Sequence, residues 1–475
     1  MSRLVSSVTG GLVLALLGCG GGGDGGPKDV TVTGTVVGTV VVAYDDAGTR
    51  VAAATAAGSP PRKTFSLTLP TGRSYSLFLV ENEDTASQRV YPLYADASLG
   101  ANRFRLSEPG TLDLGFVDTT SGRALPAKNP LFANGVSSAG VSSSIPSDLA
   151  ASGTVFSQGD LEGRWALQSL GVTPAGVSWT RAVLAVAADG LAEFTSLESS
   201  LPTGVQPPVT VTQTPGGVVL LAGSDFRGVM SSRKDVVVWT ASFPGMGKVL
   251  GVLLRQSGAL PASALVGSFR FHLLKGISAA DPLPARGSWA RGQLVVASDL
   301  SISVPASSFE TSDPAHDSAA AFGGVLSVAA DGSLSLSSNP TFRGSATPSG
   351  ETVVATATDT AGEQILLVLQ RGGTGFASPD LDGTWSLRQL EFWPGTLAEW
   401  AYGKASIAAG VATLLEVAPS PGPGDPIPVE LSADGVVTLT GDPGFRGALS
   451  LDRCLLVGTT SVDSGATSQM VLLVK

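Results

Sequence analysis

The chain has 475 residues, a formal net charge of −10, 14% charged and 43% hydrophobic residues, 60 Gly and 30 Pro. That length allows several domains with real cores, and the acidic balance argues against a nucleic-acid partner, which needs a basic face. Abundant Gly, Val, Thr and Ser suit short strands and tight turns, so the expected fold class is all-β.

The N-terminus is the sharpest local signal. Met1-Ser2-Arg3 gives a positive start, Leu4 to Leu17 is a mostly apolar run too short for a stable spanning helix, and Gly18-Cys19 follows at once. This arrangement resembles the lipobox of bacterial lipoproteins, which implies cleavage before Cys19 and lipidation of its thiol; several acyl chains then make a stable anchor. Gly20 to Gly26, interrupted only by Asp24, reads as a flexible tether. Gly20 is not the Asp that resembles an inner-membrane retention signal, so the implied address is the bacterial cell envelope, at the outer membrane. No later apolar run is long enough for a transmembrane helix. Short apolar segments and scarce Tyr speak against a transmembrane barrel. With Cys19 lipidated, Cys454 has no disulfide partner and reads as a small residue at a strand start.

Residues 29–120 are expected to form an N-terminal β-sandwich. Phe65, Leu67 and Leu69 alternate on one strand, Tyr75, Leu77 and Leu79 on the next, around a Pro-Thr-Gly turn. The Phe-Ser-Leu-Thr-Leu-Pro-Thr-Gly-x-x-Tyr stretch resembles the carboxypeptidase regulatory-like domains, prealbumin-type sandwiches that space or bind rather than cleave. Residues 121–157, rich in Ser, Gly, Ala and Pro, read as a linker partly packed on a neighbour.

The remainder repeats three times, over 158–257, 258–372 and 373–475. Leu-x-Gly-x-aromatic recurs at Gly163/Trp165, Gly267/Phe269 and Gly383/Trp385. A Trp opens an alternating strand at Trp179, Trp289 and Trp400. Phe-Arg-Gly recurs around Arg227, Arg343 and Arg446, and each copy ends in an apolar strand. In the third copy strands are expected to begin near Trp385, Trp400, Ala412, Ile427, Val436, Phe445, Leu455 and Met470. A Gly-x-Trp on the first strand of about eight resembles the lipocalin and avidin-like barrels, where a basic residue near the last strand packs across that Trp. Arg255 and Lys475 fall at those ends, whereas the second copy offers Gln370 and a Phe. The expected architecture is therefore three small antiparallel up-and-down barrels after the sandwich; open sandwiches and one continuous propeller-like sheet are the alternatives.

Residues that recur in all three copies, including Arg227, Arg343 and Arg446, point to shared structural work. Residues private to one copy are better functional candidates. Trp239 stands where the other copies have Ala355 and Gly458, so it is expected to be exposed or to fill a copy-specific pocket. Phe392-Trp393-Pro394-Gly395 reads as an aromatic loop suited to glycan or protein contact. His272 is expected on the wetter face of its strand. Glu81-Asn82-Glu83-Asp84 lacks EF-hand spacing and reads as a charged hairpin end. Asp313-Pro-Ala-His316-Asp317 reads as a solvated loop, and no His or Cys cluster suggests zinc, so no metal and no cofactor are expected. No nucleophile elbow is present. The preferred reading is a non-catalytic, lipid-anchored envelope protein, a modular scaffold or binder of an envelope protein or glycan; the alternative is a lipocalin-like carrier of a small apolar ligand in an open barrel.

Overall fold

The computed structural model describes residues 29–475 apart from 59–61, 152–153, 174–175, 202–205, 244–246, 257, 277–286, 394–397, 419–423 and 463–466. The lipobox, Cys19 and the tether lie outside the described residues. So do Pro394 and Gly395 of the expected aromatic loop.

At the N-terminal end two open sheets share one apolar core. The first orders Lys63–Pro70, Asp29–Val36, Gly110–Asp118 and Leu125–Pro126; the second orders Val136–Gly140, Arg103–Leu106, Arg73–Glu81, Val40–Tyr44 and Arg50–Thr55. Phe65, Leu67 and Leu69 meet Tyr75, Leu77 and Leu79 in that core, as their alternation requires. The segment 121–157 does more than link. Its Val136–Gly140 strand extends the second sheet by pairing with Arg103–Leu106, and Leu125–Pro126 extends the first. Its small residues suit an edge strand packed beside Glu108, where Gly135 turns with φ +71°.

Each repeat closes into an eight-stranded antiparallel barrel. In the first and third, strands pair in chain order and the last pairs with the first: Gly247–Gln256 on Gly163–Thr173, and Thr467–Val474 on Gly383–Phe392. In the second, Gly267–Gly276 pairs with both Gly287–Val296 and Gln364–Arg371, which closes the barrel, and the third strand comes in two pieces, Ser301–Ser303 and Glu310–Thr311, both paired with Gly287–Val296. The third barrel's strands start at Gly383, Glu399, Val411, Ile427, Val436, Asp442, Leu455 and Thr467, each within three residues of its expected start.

The three barrels pack in a ring. Outward side chains of their closing strands, among them Leu250, Val252, Leu366, Val368, Met470 and Leu472, form one shared apolar core. The landmark Trp of each barrel donates its indole N–H to a hydroxyl of the next: Trp179 to Thr358 (2.9 Å), Trp289 to Ser461 (2.7 Å) and Trp400 to Ser242 (2.7 Å). A guanidinium follows the same cycle. Arg181 reaches the Thr341 carbonyl (2.8 Å), Arg291 the Gly444 and Thr459 carbonyls (2.8 and 2.7 Å), and Arg388 the Arg227 carbonyl (2.7 Å). The sandwich joins this ring on two sides. Arg89 donates to the Gly216 and Met230 carbonyls of the first barrel (2.8 Å each), and Lys404 of the third pairs with Glu81 (2.7 Å) and reaches Tyr91 and Thr119. Asn82 brackets the backbone of Thr384. The expected charged hairpin end at Glu81 and Asn82 is thus a buried docking point.

His272 corrects a second expectation. It does point away from its barrel interior, but the third barrel covers that face, and its ring bonds to the Thr459 hydroxyl at 3.1 Å. Burial, with Arg291 and Arg270 nearby, pushes its pKa down to about 3. An unfolded imidazole takes up its proton near pH 6.5. Between pH 6.5 and 3 the unfolded chain therefore binds more protons, and stability falls as pH falls through that window, by at most about 1.4 kcal/mol per pH unit. Gln168 occupies the equivalent place in the first barrel and accepts from Thr356 at 2.7 Å. His272→Gln should accordingly flatten the loss of stability between pH 6.5 and 4, followed as urea midpoints; an unchanged pH slope would remove His272 from the account.

Candidate binding cavities

The base of each barrel is built by the Gly-x-aromatic landmark. Gly163, Gly267 and Gly383 sit at φ +118°, +131° and +131°, a region that only glycine adopts freely. Two residues on, Trp165, Phe269 and Trp385 are fully buried at the barrel base. The indoles donate to the Leu161 and Leu381 carbonyls at 2.7 Å, tying down short 3₁₀ plugs at Gln158–Leu161 and Ser378–Asp380; Ala262–Leu265 is the matching plug of the second barrel. A cation covers each ring: Arg255 over Trp165 (4.7 Å), Arg371 over Phe269 (4.7 Å) and Lys475 over Trp385 (5.3 Å). The second barrel's basic residue is Arg371, not the Gln370 expected from the repeat landmarks. The pairing register puts Arg371 opposite Phe269, and Gln370 faces outward to the Leu455 carbonyl.

Arg227, Arg343 and Arg446 fold back onto their own loops, each donating to the carbonyl of the preceding Phe at 2.7–2.8 Å. The following Gly of each motif faces the position that varies most between barrels. Trp239 lies across from Gly251 in the first barrel, Ala355 across from Leu367 in the second, Gly458 across from Val471 in the third. Bulk has changed sides across one strand pair: a Cβ at Gly251 would overlap the Trp239 ring. Trp239 is only 3% exposed, stacks on Phe226 with centroids 5.0 Å apart, and meets Phe243 edge-on at 6.3 Å. Of the two expectations for Trp239, surface exposure is overturned. The indole is an interior wall of a cavity of about 170 Å³ whose other walls include Leu184, Phe194 and Leu253.

The second barrel holds a larger cavity of about 400 Å³. Its third strand is interrupted: Ser301–Ser303 makes two residue pairs with Gly287–Val296 and Glu310–Thr311 two more, where the corresponding hairpin of the first barrel makes seven. The segment 304–323 holds the expected solvated loop: Pro314, Ala315 and His316 are exposed, while residues just after them line the cavity. Phe322 packs on Phe271 and Phe309 and lines the cavity, and Thr311 holds Asp317 at 2.6 Å. Leu273, Leu326, Leu336 and Phe342 add apolar walls. At the end away from the plug, Lys275 donates to Asp317 (2.7 Å) and to Glu363, with Asp359 at 4.0 Å. Burial opposes its charge, but the two carboxylate bonds outweigh that and raise the ammonium pKa. Three carboxylates thus surround one cation. This cluster was missed in the sequence, where Lys275 and Asp317 are separated by more than forty residues; the signal was a lysine closing an otherwise apolar strand, Phe271-His-Leu-Leu-Lys275.

Phe392 corrects the aromatic-loop expectation. It ends the strand Gly383–Phe392, is 1% exposed, and packs over Gly276 and Gly287 of the second barrel. Only Trp393 of that pair meets solvent, at 38%, with its N–H on Glu391 at 2.9 Å. Cys454 is buried just before the strand Leu455–Val462, and burial pushes its thiol pKa well up. His316 is exposed and paired with Asp313 at 2.9 Å. Among the described residues no group of three or more His, Cys, Asp or Glu is placed to hold a metal ion, and no helix is long and apolar enough to cross a membrane.

No family model matches the chain, and no curated protein matches it. Among solved structures it is similar to the isotype 1 transferrin binding protein B from serogroup B Neisseria meningitidis, at 10% identity over 66% of this chain and 76% of that one, with a TM-score of 0.21. It is similar to a mutant transferrin binding protein B from Haemophilus parasuis Hp5, at 6% identity over 65% and 94%, TM-score 0.22. A protein of unknown function of the DUF3598 family from Nostoc punctiforme follows at 9% identity over 66% and 95%, TM-score 0.16. Likenesses at these scores carry no argument about what this chain does.

The exchange of bulk across the barrel wall is directly testable. Trp239→Ala should destabilise the chain by about 3–5 kcal/mol. Adding Gly251→Leu, which installs the second barrel's Ala/Leu pair, should recover part of that loss in urea unfolding. A double variant no more stable than the single one would show that the two positions do not share one volume.

Proposed function

We propose that this chain is a non-catalytic, lipid-anchored binding protein of the bacterial envelope, and that its second barrel carries a small amphipathic ligand. The observation that carries the reading is the 400 Å³ cavity, apolar along its length and polar at one end. It favours ligand carriage over the surface-binding scaffold, because two of the three aromatics that were to make a surface, Trp239 and Phe392, are buried. The surface reading keeps Trp393 alone.

The ligand's chemistry follows from the charged end. Asp317, Asp359 and Glu363 outnumber Lys275, and the lysine's hydrogen bonds already go to carboxylates. An apolar body with a cationic or neutral head fits there; a carboxylate head meets like charge. In this reading Cys19 carries the lipid, the tether and sandwich hold the barrels off the outer membrane, and the ring presents the second barrel's cavity as part of a rigid body.

Decylamine should therefore bind the full chain at least tenfold more tightly than decanoate, measured by calorimetry at pH 7. Ala357→Trp, which places an indole into the cavity wall, should abolish decylamine binding and remove any copurifying adduct from the native mass spectrum. Decanoate binding as well as decylamine, or decylamine binding unaffected by Ala357→Trp, would sink the assignment. For the anchor, Cys19→Ser should abolish palmitate labelling and release the protein from membranes; labelling that persists in the variant would refute lipidation at Cys19.

A further inference from the structure

The first barrel's cavity differs from the second's in size and in its lining. Among the described residues none of its lining side chains is charged. It holds one conspicuous donor, the Trp239 indole N–H, which is buried and has no hydrogen-bond partner. A buried donor left unmade is costly and rare in folded proteins. The corresponding landmark indoles of this chain, at Trp165, Trp179, Trp289, Trp385 and Trp400, all have acceptors. Trp239 is also a private feature: the other barrels place Ala355 and Gly458 there, and Gly251 has cleared the space its ring occupies.

We propose that the first barrel is a separate binding site for a small, flat, uncharged molecule with one hydrogen-bond acceptor, such as an aromatic ketone or aldehyde, whose acceptor takes the Trp239 N–H. Size fits the class: an apolar cavity of about 150 Å³ is known to stay dry and to take benzene, and this one is about 170 Å³. Shape fits it too. Phe226, Trp239 and Phe243 form an aromatic wall, against which a second flat ring stacks well. A charged ligand is excluded, since no lining group would compensate it. Water is the competing occupant: a buried water needs two to four polar partners, and besides the indole the lining side chains offer Ser169, Ser178, Thr180 and Gln206, of which Ser169 and Thr180 already donate to Thr180 and Ser199.

The test uses acetophenone and isopropylbenzene, which match in shape and differ in the acceptor. Acetophenone should bind the full chain about fivefold more tightly and should shift the Trp239 indole N–H resonance, assigned through Trp239→Phe. In Trp239→Phe the preference should vanish while isopropylbenzene binding survives. Should that variant fail to fold, Phe226→Leu identifies the resonance through its lost ring-current shift, and acetophenone must still move it in the unmodified chain. Equal binding of both probes, a preference that survives Trp239→Phe, or an indole signal that neither probe moves at millimolar concentration would overturn the proposal. Ala357→Trp separates the two cavities: it should leave acetophenone binding intact, and loss of binding there would relocate the probe to the second barrel and overturn the assignment to the first.

Discussion

The outer faces of the closing strands have to be dry, and the rest of the structure depends on that constraint. A closed barrel has no need to bury its exterior, since closure already satisfies its backbone. Here Leu250, Val252 and Leu254 point out of the first barrel while Val249 and Leu253 point in, and both sets are buried. The third barrel repeats this with Met470, Leu472 and Val474 outside and Val471 and Leu473 inside. A strand buried on both faces reads as a continuous apolar run rather than an alternating one. The apolar strand that ends each repeat is therefore the imprint of the ring on the sequence.

Packing dry faces together strands the polar groups among them, and the ring resolves this by a fixed set of donors. The first two barrels use a Trp and an Arg two residues on, with the guanidinium 4.2 Å over the indole: Arg181 on Trp179 and Arg291 on Trp289. The third barrel has Tyr402 in place of that arginine, stacked on Trp400. Its guanidinium comes instead from Arg388, on the neighbouring strand, at the place held by Gln168 and His272 in the other barrels. The donor moved and the acceptor region, the loop of Phe-Arg-Gly, did not. Arg388 reaches only carbonyls, and burial pulls its pKa down. Removing such a group would leave backbone acceptors unmet in a dry interface, the situation in which buried polar contacts matter most for a unique arrangement.

Period and landmarks made the barrels legible. Alternation over short runs marks strands, and three ordered landmarks mark three copies, so the strand starts of the third repeat could be placed closely. What did not come through was anything decided between copies. Alternation gives His272 a wet face because it distinguishes inside from outside and is silent about a neighbour on the outside. Phe392 reads as a surface residue for the same reason: its partners are Gly276 and Gly287, more than a hundred residues away. Gln370 stands in for Arg371 in the sequence because a one-residue shift in a strand reverses its faces, and only the pairing register fixes which residue meets Phe269. Trp239 was recognised as private to its copy, yet its complement Gly251 was invisible without the ladder that sets them opposite.

The barrels also show why three similar repeats need not share one activity. Base, plug and cation are common to all three, so the fold is held at one end and leaves the other free to vary. In the first barrel variation moved bulk across a strand pair and left a small apolar chamber with an indole donor. In the second it interrupted the third strand between Ser303 and Glu310 and left a larger chamber with a charged end. The bulk exchange in the first barrel lies inside it, and in the second Glu310 still pairs with the ring's Arg291 as Glu198 does with Arg181. Because the two faces of a strand alternate, an interior can be re-cut residue by residue while the exterior keeps its partners. The same alternation that hid the inter-barrel contacts from the sequence is what lets each interior diverge.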